Sequence, residues 1–260
     1  MTVLEEILVK TRQTIAEDRL QRDEQSLRDE IKGMPPCRGF YDALAETDSV
    51  RLIAEVKRRS PSAGLIREDF DPVKIARTYA ESGAACISVL TDQPFFGGQL
   101  SYLREIRAAV DLPLLRKDFF VDSYQLLQAR AAGADCVLLI AECLSAEALK
   151  TLHDESLALG MGVLIELYDP KNLPAVLATG CRLVGVNNRD LHTFQTDLQH
   201  TVRMRNKIPS DRLLVGESGI RSAEDVATLK QSGVKAILVG ESLMRQDDIA
   251  LAVKNLLRGA

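Results

Sequence analysis

The C-terminal part of the chain contains a nearly duplicated segment, LLVGES at residues 213–218 and ILVGES at residues 237–242. Each copy is a short apolar run typical of a buried β-strand, and each ends in glycine followed by two polar residues. Glycine allows a backbone to approach a phosphate closely. In a (β/α)8 barrel the phosphate site commonly follows strands seven and eight. The repeat therefore favours an alternating α/β architecture and suggests a phosphorylated ligand.

Eight strands are needed to close such a barrel, and the sequence supplies eight candidates. Runs rich in Val, Ile and Leu begin near Val50, Ala84, Asp111, Ala134, Met161, Cys181, Asp211 and Val234. Helices that stop at glycine are predicted before most of these runs, at Gly83, Gly133, Gly160, Gly180 and Gly233. Helix starts with capping side chains are predicted at Asp71-Pro72, Ser145, Asp169-Pro170, Ser222 and Asp247-Asp248.

The predicted strands are apolar on both faces and alternate with helices, which indicates a buried parallel sheet with right-handed crossovers. A doubly wound open sheet is the alternative, but the sequence lacks its early glycine-rich dinucleotide-binding turn. We therefore predict an α/β protein with a single (β/α)8 TIM barrel over residues 49–260.

An N-terminal helical extension is predicted over residues 1–48. Apolar residues recur there at helical spacing, at Val3, Leu4, Ile7, Leu8 and Ile15. A second short helix is predicted from Phe40 to Leu44. We expect the extension to pack on the barrel and to cover one of its ends.

Composition limits the partners of the chain. The 33 Lys and Arg residues are outnumbered by 37 Asp and Glu residues, so we expect no nucleic-acid partner. No apolar run approaches the roughly 18 residues of a membrane span, so we expect no membrane partner. The five cysteines show no paired spacing, which is typical of a reducing compartment and predicts a cytoplasmic protein. A monomer or weak homo-oligomer acting on a small phosphorylated molecule is the expected state.

Polar and charged side chains recur where the predicted strands end. These residues are Glu55, Lys57, Lys117, Glu166, Asn187, Arg189, Glu217 and Ser218. Since the carboxyl ends of barrel strands meet at one mouth, and since charges are costly to bury alone, we predict a shared polar site there. A simple ion pair between Glu55 and Lys57, and a solvated strand end at Lys117, are the structural alternatives.

Other catalytic classes lack their sequence signatures. The three histidines, His153, His192 and His200, show neither HExxH nor clustered Cys/His spacing, so no metal site is expected. Neither a GxSxG elbow nor a Walker-type loop is present. The lysines, carboxylates and amides that remain suit acid–base chemistry on a phosphorylated sugar.

Five segments, EVKRRSPSAG, LLRKDFF, GVNNRDL, GESGI and VGESLM, occur in the order typical of indole-3-glycerol phosphate synthases of tryptophan biosynthesis. The chain resembles that family from its N-terminal extension to its last helix. The resemblance implies a carboxy-lyase that closes a ring in 1-(2-carboxyphenylamino)-1-deoxyribulose 5-phosphate and releases carbon dioxide and water. It implies no cofactor and no metal.

The resemblance also implies roles for the strand-end residues. Lys117 is expected to be the general acid of ring closure, with a pKa lowered toward working pH by burial and neighbouring cations. Glu166 is expected to be the base of the dehydration. The remaining catalytic residues are expected to hold the substrate or orient other groups: Lys57 at the substrate carboxylate, Asn187 at the developing hydroxyl, and Glu55 and Glu217 at the lysines or substrate hydroxyls.

By the same resemblance, the phosphate is expected to meet residues of three loops, namely Ser60, Ser218, Gly219, Gly240 and Glu241, and Arg189 supplies a further cation. Some members carry Ser where this chain has Glu241. Because a carboxylate beside a phosphate is unfavourable, we expect only the backbone N–H of Glu241 to face the ligand. The two VGES copies are thus expected to use different offsets at the site.

Two further features follow from the resemblance. Phe119, with Leu138 and Leu191, is expected to form an apolar wall against the anthranilate ring, with plain core packing as the alternative for Leu138. The segment Arg59–Gly64 is expected to be a mobile lid that substrate orders.

Rival functions remain at this point. Phosphoribosylanthranilate isomerase and a tryptophan synthase α-type lyase are related barrel enzymes, but the isomerase has no need for two strand-end lysines. A silent phosphate-sugar binding protein is the non-enzymatic alternative, and it would tolerate the loss of Lys117 and Glu166.

Overall fold

A computed structural model describes residues 2–45, 48–190 and 195–260 of the chain. Eight parallel strands close into a barrel, in which each strand pairs with its sequence neighbours and the last pairs with the first. The strands are β1 (Arg51–Val56), β2 (Cys86–Leu90), β3 (Leu114–Lys117), β4 (Cys136–Ile140), β5 (Gly162–Leu167), β6 (Leu183–Asn187), β7 (Leu213–Glu217) and β8 (Ala236–Val239). Every strand begins within three residues of its predicted start, and the predicted (β/α)8 barrel is confirmed.

Helices precede, connect and follow the strands. They are α1 (Val3–Gln21), α2 (Glu24–Lys32), α3 (Phe40–Ala45), α4 (Pro72–Glu81), α5 (Ser101–Ala109), α6 (Ser123–Ala131), α7 (Ala146–Ala158), α8 (Leu173–Ala178), α9 (Gln199–Arg205), α10 (Ala223–Gln231), α11 (Glu241–Met244) and α12 (Ile249–Leu256). Short 3-10 turns lie at Ala141–Cys143, Pro170–Asn172 and Leu257–Gly259. Of the helices in the described ranges, none combines the length and apolar character that crossing a bilayer requires.

Local side-chain chemistry sets the helix bounds. Asp71, Ser145 and Ser222 each accept a hydrogen bond from the backbone N–H three residues later, which satisfies a donor that the helix itself leaves free. Asp248, rather than Asp247, caps α12. The glycines predicted to end helices all have positive φ, namely Gly83, Gly133, Gly160, Gly180 and Gly233.

The three N-terminal helices contact both ends of the barrel, whereas the sequence predicts cover at one end. Val3 and Ile7 of α1 line the cavity at the carboxyl ends of the strands. Phe40 and Leu44 of α3 pack among the buried residues inside the barrel, and the Phe40 carbonyl lies 3.8 Å from the thiol of Cys86 at the amino end of β2. Helix α2, which packs on α6 through Leu27, was not predicted as a separate element.

The barrel separates two apolar layers. One lies between the outer face of the sheet and the helices, and the other fills the barrel interior. Burying a single Leu or Ile side chain in such a layer stabilises the fold by about 1.5–3 kcal/mol, so the packed interior fixes the strands that carry the site. Polar side chains enter this interior at its carboxyl end.

Candidate active site

One cavity of about 540 Å³ lies at the carboxyl ends of the strands. The predicted catalytic and phosphate-binding residues line it, together with Phe119: Glu55, Lys57, Ser60, Lys117, Glu166, Asn187, Arg189, Glu217, Ser218, Gly219, Gly240 and Glu241. The residues come from six strand ends that are distant in sequence. The cavity thus provides the shared polar site that the strand-end pattern predicts. The individual roles of the residues that line it stay predictions.

Lys117 and Glu166 form the central ion pair of the cavity. The Nζ atom of Lys117, at the end of β3, lies 3.3 Å from Oε2 of Glu166 on β5. Nδ2 of Asn187, at the end of β6, donates a 3.0 Å hydrogen bond to Oε1 of Glu166. Both oxygens of Glu166 therefore accept hydrogen bonds, which fixes the carboxylate and leaves the lysine with further N–H donors for a ligand.

Glu217 on β7 joins Glu166 as a carboxyl pair. Burial and the negative charge of Glu166 raise the pKa of Glu217 well above its usual range. Burial by itself would raise the pKa of Glu166, but Lys117, with the hydrogen bonds from Glu217 and Asn187, lowers it. Of the two carboxyl groups, Glu217 therefore holds its proton more tightly and Glu166 ionises first. The Oε1 atom of Glu217 is buried against Gly185 of β6 and has no hydrogen-bond partner among the described residues.

The charge state of Lys117 differs from the prediction. Burial by itself would lower the pKa of Lys117. The nearby carboxylates of Glu166, Glu217 and Glu55 outweigh burial and hold that pKa above its usual range. The predicted lowering by neighbouring cations is wrong, because the neighbours that the barrel places against the amine are acids. In the unliganded site Lys117 is therefore a stable ammonium.

A second ion pair lies on β1. Lys57 Nζ is 2.5 Å from Oε1 of the buried Glu55, as alternation along a strand predicts for residues two apart. The buried Tyr79 hydroxyl donates to the Glu55 carbonyl oxygen at 3.2 Å and anchors this strand end from outside the barrel. Gly240 faces Glu55 so closely that an added Cβ would overlap Oε1 of that carboxylate. Glycine at that position therefore makes room for the carboxylate.

The turn after β7 has the backbone shape suited to an anion. Ser218 has φ of 64° and Gly219 has φ of 77°. A serine in this left-handed region costs on the order of 1 kcal/mol, and such conformations are concentrated at functional sites. Asn188 Nδ2 donates to the Ser218 carbonyl oxygen at 3.1 Å and holds the turn from behind. Ser60, in the segment that follows β1, is buried and accepts a hydrogen bond from the Ala63 backbone N–H at 3.2 Å.

The Glu241 side chain stays at the cavity, contrary to the expectation that only its backbone faces the ligand. Its Oε2 atom lies 3.4 Å from Nη2 of Arg189, and its Oε1 atom lies 3.1 Å from Nη2 of Arg245. The two guanidinium groups compensate the charge that was expected to drive the carboxylate away. Arg245 and its contact with Glu241 were not foreseen from the sequence.

The apolar wall is larger than predicted. Phe119 and Leu138 line the cavity as expected, and Leu191 lies outside the described residues. The ring of Phe96, which was not predicted, is tilted against that of Phe119 with centroids 6.1 Å apart. Asp92 holds Phe96 by accepting its backbone N–H at 3.0 Å. The signal in the sequence that could have predicted this part of the wall is the aromatic residue Phe96 in the loop after β2.

Arg116 and Asp118 flank Lys117 in sequence but lie on the other side of the strand, where both are buried. Arg116 Nη2 is 2.9 Å from Asp118 Oδ2, which also accepts a 2.5 Å hydrogen bond from the Thr91 hydroxyl. Asp118 Oδ1 accepts the Phe119 backbone N–H at 2.9 Å. This strand end is therefore an ordered network behind the lysine and not the solvated end that was the alternative reading.

Metal ligands do not gather in this region. Among the described residues, no group of three or more His, Cys, Asp or Glu side chains has an arrangement that fits a metal ion. His153 lies on α7 and His200 on α9, whereas His192 falls outside the described residues. The chemistry of the described site therefore rests on its lysines, carboxyl groups and amide.

A closed barrel that gathers paired lysines, a carboxyl pair and a left-handed turn around one cavity defines a (β/α)8-barrel enzyme with an acid–base site. A family model for indole-3-glycerol phosphate synthase matches residues 4–256. The indole-3-glycerol phosphate synthase of Rhodopirellula baltica is 66% identical over 257 residues, covering 99% of each chain. That of Polaromonas naphthalenivorans is 43% identical, covering 98% of each. The chain belongs to the indole-3-glycerol phosphate synthase family.

Solved structures of other proteins share the barrel. The thiamine phosphate pyrophosphorylase of Pyrococcus furiosus matches with a TM-score of 0.60 and 17% identity over 80% of this chain and 94% of that one. A mandelate oxidase variant matches with a TM-score of 0.59 and 16% identity over 81% and 71%. At such identities the likeness shows the fold alone.

Proposed function

We infer that this chain converts 1-(2-carboxyphenylamino)-1-deoxyribulose 5-phosphate to indole-3-glycerol phosphate in tryptophan biosynthesis. Family membership supports the reaction, and the observation that carries the mechanism is the Lys117–Glu166 pair, 3.3 Å apart in the cavity that the Ser218–Gly219 turn also lines. The substrate has an anion at each end and a ketone between them. A cavity with separate cations and an acid–base pair matches that distribution of charge.

Ring closure is the first step. The aromatic carbon that bears the carboxylate attacks the ketone carbon, and the ketone oxygen takes a proton as its charge develops. Lys117 donates that proton, since its carboxylate neighbours keep it an ammonium until substrate arrives. Lys57 holds the substrate carboxylate, and Glu55 orients Lys57 through their 2.5 Å contact. Loss of carbon dioxide then breaks the bond to the former carboxylate and returns the electron pair to the ring.

Dehydration completes the indole. Glu166, the member of the carboxyl pair that ionises first, removes a proton from the new ring, while the new hydroxyl takes a proton from the ammonium of Lys57 and leaves as water. Asn187 is placed to hold that hydroxyl, because its amide already bonds Glu166 at 3.0 Å. Glu217 orients Lys117 or a substrate hydroxyl at this step. No step requires a metal or a cofactor.

Substrate binding uses the two ends of the cavity. The phosphate lies against Ser60, Ser218, Gly219 and the backbone at Gly240 and Glu241, all of which line the cavity. The anthranilate ring lies against Phe119 and Phe96. The segment Arg59–Gly64, which includes a short ribbon pairing Ser60 with Gly64, closes over the bound substrate. Equal hydrogen exchange of this segment with and without a substrate analogue would contradict the closure.

The mechanism is tested by product formation in two variants. With the carboxyphenylamino deoxyribulose phosphate as substrate, indole absorbance should appear with the parent enzyme. Lys117→Met and Glu166→Gln should each lower kcat by about 10²–10⁴-fold, the usual contribution of a general acid or base. Inorganic phosphate should still bind both variants, since neither change touches the phosphate end. Full turnover in both variants would overturn the mechanism.

We propose that the enzyme works in the cytoplasm as a monomer or weak homo-oligomer, without nucleic acid or membrane partners. Its five thiols are free and its net charge is -4. We also propose that residues 1–48 act as an extension that closes both ends of a barrel formed by residues 49–260. Light scattering after size-exclusion chromatography tests the assembly, and a dominant tetramer would contradict it.

A further inference from the structure

Arg189 bridges two loops at the rim of the cavity. Its Nη1 atom donates a 2.8 Å hydrogen bond to the Ser62 hydroxyl in the segment after β1. Its Nη2 atom lies 3.4 Å from Oε2 of Glu241, which follows β8. The Ser62 hydroxyl is also 3.4 Å from that of Ser60, the serine proposed to meet phosphate. One guanidinium therefore connects Glu241 to the segment that closes over the ligand.

Glu241 has a second partner that faces outward. Arg245, one helical turn later, donates to Glu241 Oε1 from both Nη2 at 3.1 Å and Nε at 3.2 Å. Arg245 is about half exposed, whereas Arg189 is 25% exposed. The carboxylate is thus divided between an inner arginine at the ligand and an outer arginine near solvent.

The inner contact conflicts with a bound phosphate. A phosphate monoester carries up to two negative charges, and a carboxylate a few ångström away repels it by about 1 kcal/mol or more in a partly solvated site. The same phosphate would attract the Arg189 guanidinium, which binds phosphate oxygens with a fork of donors. Phosphate and the Glu241 carboxylate therefore compete for Arg189.

We propose that Glu241 is an affinity-setting residue that occupies Arg189 in the empty enzyme and moves wholly onto Arg245 when phosphate arrives. This proposal rests on the proposed phosphate site. Arg245 serves as the exchange partner that keeps the displaced carboxylate paired. The exchange weakens phosphate binding relative to a neutral side chain at this position, and it couples phosphate arrival to the Ser62 contact of Arg189.

A double-mutant cycle tests the exchange. The variants are Glu241→Gln, Arg245→Met and the double variant, with Glu105→Gln on the outer face of α5 as a control that removes one charge outside the cavity. The dissociation constant of inorganic phosphate is measured by calorimetry, and KM is measured with substrate. Glu241→Gln should tighten phosphate binding by about two- to fivefold, the range expected for a half-exposed ion pair.

The second arm separates exchange from simple charge removal. Arg245→Met leaves Glu241 no outer partner, so it should weaken phosphate binding by about two- to fivefold. In the Glu241→Gln background the same change should have little effect, and the Glu105→Gln control should match the parent. Weaker phosphate binding in Glu241→Gln, or equal effects of Arg245→Met in both backgrounds, would overturn the proposal. If the parent enzyme binds phosphate but forms no indole product, the proposed function fails while the cycle still tests Glu241.

Discussion

The two VGES copies have the same residues but place their glutamates in different environments. Glu217, in the first copy, ends β7 inside the barrel and is 2% exposed. Glu241, in the second copy, begins α11 at the rim, with a side chain 30% exposed between two arginines. The pKa of Glu217 is raised by burial and by Glu166, whereas Arg245, Lys57 and Arg189 outweigh burial and lower the pKa of Glu241.

The cause of the difference is the stagger of a closed barrel. Gly216 of the first copy pairs with Ile237, the first residue of the second copy. The second copy is therefore displaced by three residues toward the mouth, so its glutamate leaves the sheet. The two copies therefore stand at different offsets in the sheet, and their use of different offsets toward a ligand stays a prediction. Equal motifs carry different chemistry because strand register, and not the motif, decides how far a side chain stands from water.

The largest expected difference between the copies is in turnover. Glu217→Gln keeps a neutral hydrogen-bond donor beside Glu166 but cannot exchange its proton, and it alters the geometry of the carboxyl pair. We expect kcat to fall by about 10²-fold, the effect of misplacing a reacting group by an ångström. Steady-state kinetics should show a loss at least about tenfold larger than that of Glu241→Gln. Similar losses of kcat in the two variants would contradict this difference and show that both glutamates contribute equally to turnover.

A smaller effect is expected from the glycine that admits Glu217 into the barrel. An added Cβ at Gly185 on β6 would overlap Oε1 of Glu217, so Gly185→Ala should displace that carboxyl group and lower kcat by about tenfold. Gly216→Ala is the matched control, because its Cβ would meet only the tips of side chains on the outer face, Leu229 at 3.3 Å and Thr201 at 3.6 Å. Circular dichroism should show that both variants fold. A loss of activity in the control as large as in Gly185→Ala would contradict this account.

The sequence predicts the barrel and the membership of the site well, for a physical reason. In a parallel barrel every strand has the same direction, so residues at strand ends converge without any knowledge of their distances. Lys57, Lys117 and Glu166 are recognisable because each follows or interrupts an apolar run. Their convergence on one cavity needed only the strand count and the position of each strand end.

The sequence does not predict what depends on neighbours across strands. The pKa of Lys117 was expected to fall, yet it is raised because carboxylates from other strands surround the amine. From the sequence alone, Arg116 and Asp118 were compatible with a solvated strand end, yet they form a buried ion pair. Alternation along a strand shows which side chains point out of the barrel, but it does not show whether a helix covers them. The contact of α1 with the cavity also depends on packing that no local pattern encodes.

The smallest expected effect is a difference in how stability responds to pH. The raised pKa of Glu217 means that the folded state holds its proton above the ordinary 4.5, so its contribution to stability falls as pH rises above that value. The melting temperature of Glu217→Gln should therefore rise relative to that of the parent as pH increases.

The pH dependence expected for Glu241 has the opposite sign, because its pKa is lowered: its contribution to stability is present above pH 4.5 and is lost as pH falls below that value. Glu241→Gln should be less stable than the parent at neutral pH by less than about 1 kcal/mol, and equal to it in acid. Thermal melts of both variants across the acidic and neutral range measure the two slopes, and slopes of the same sign would show that the two glutamates share one environment after all.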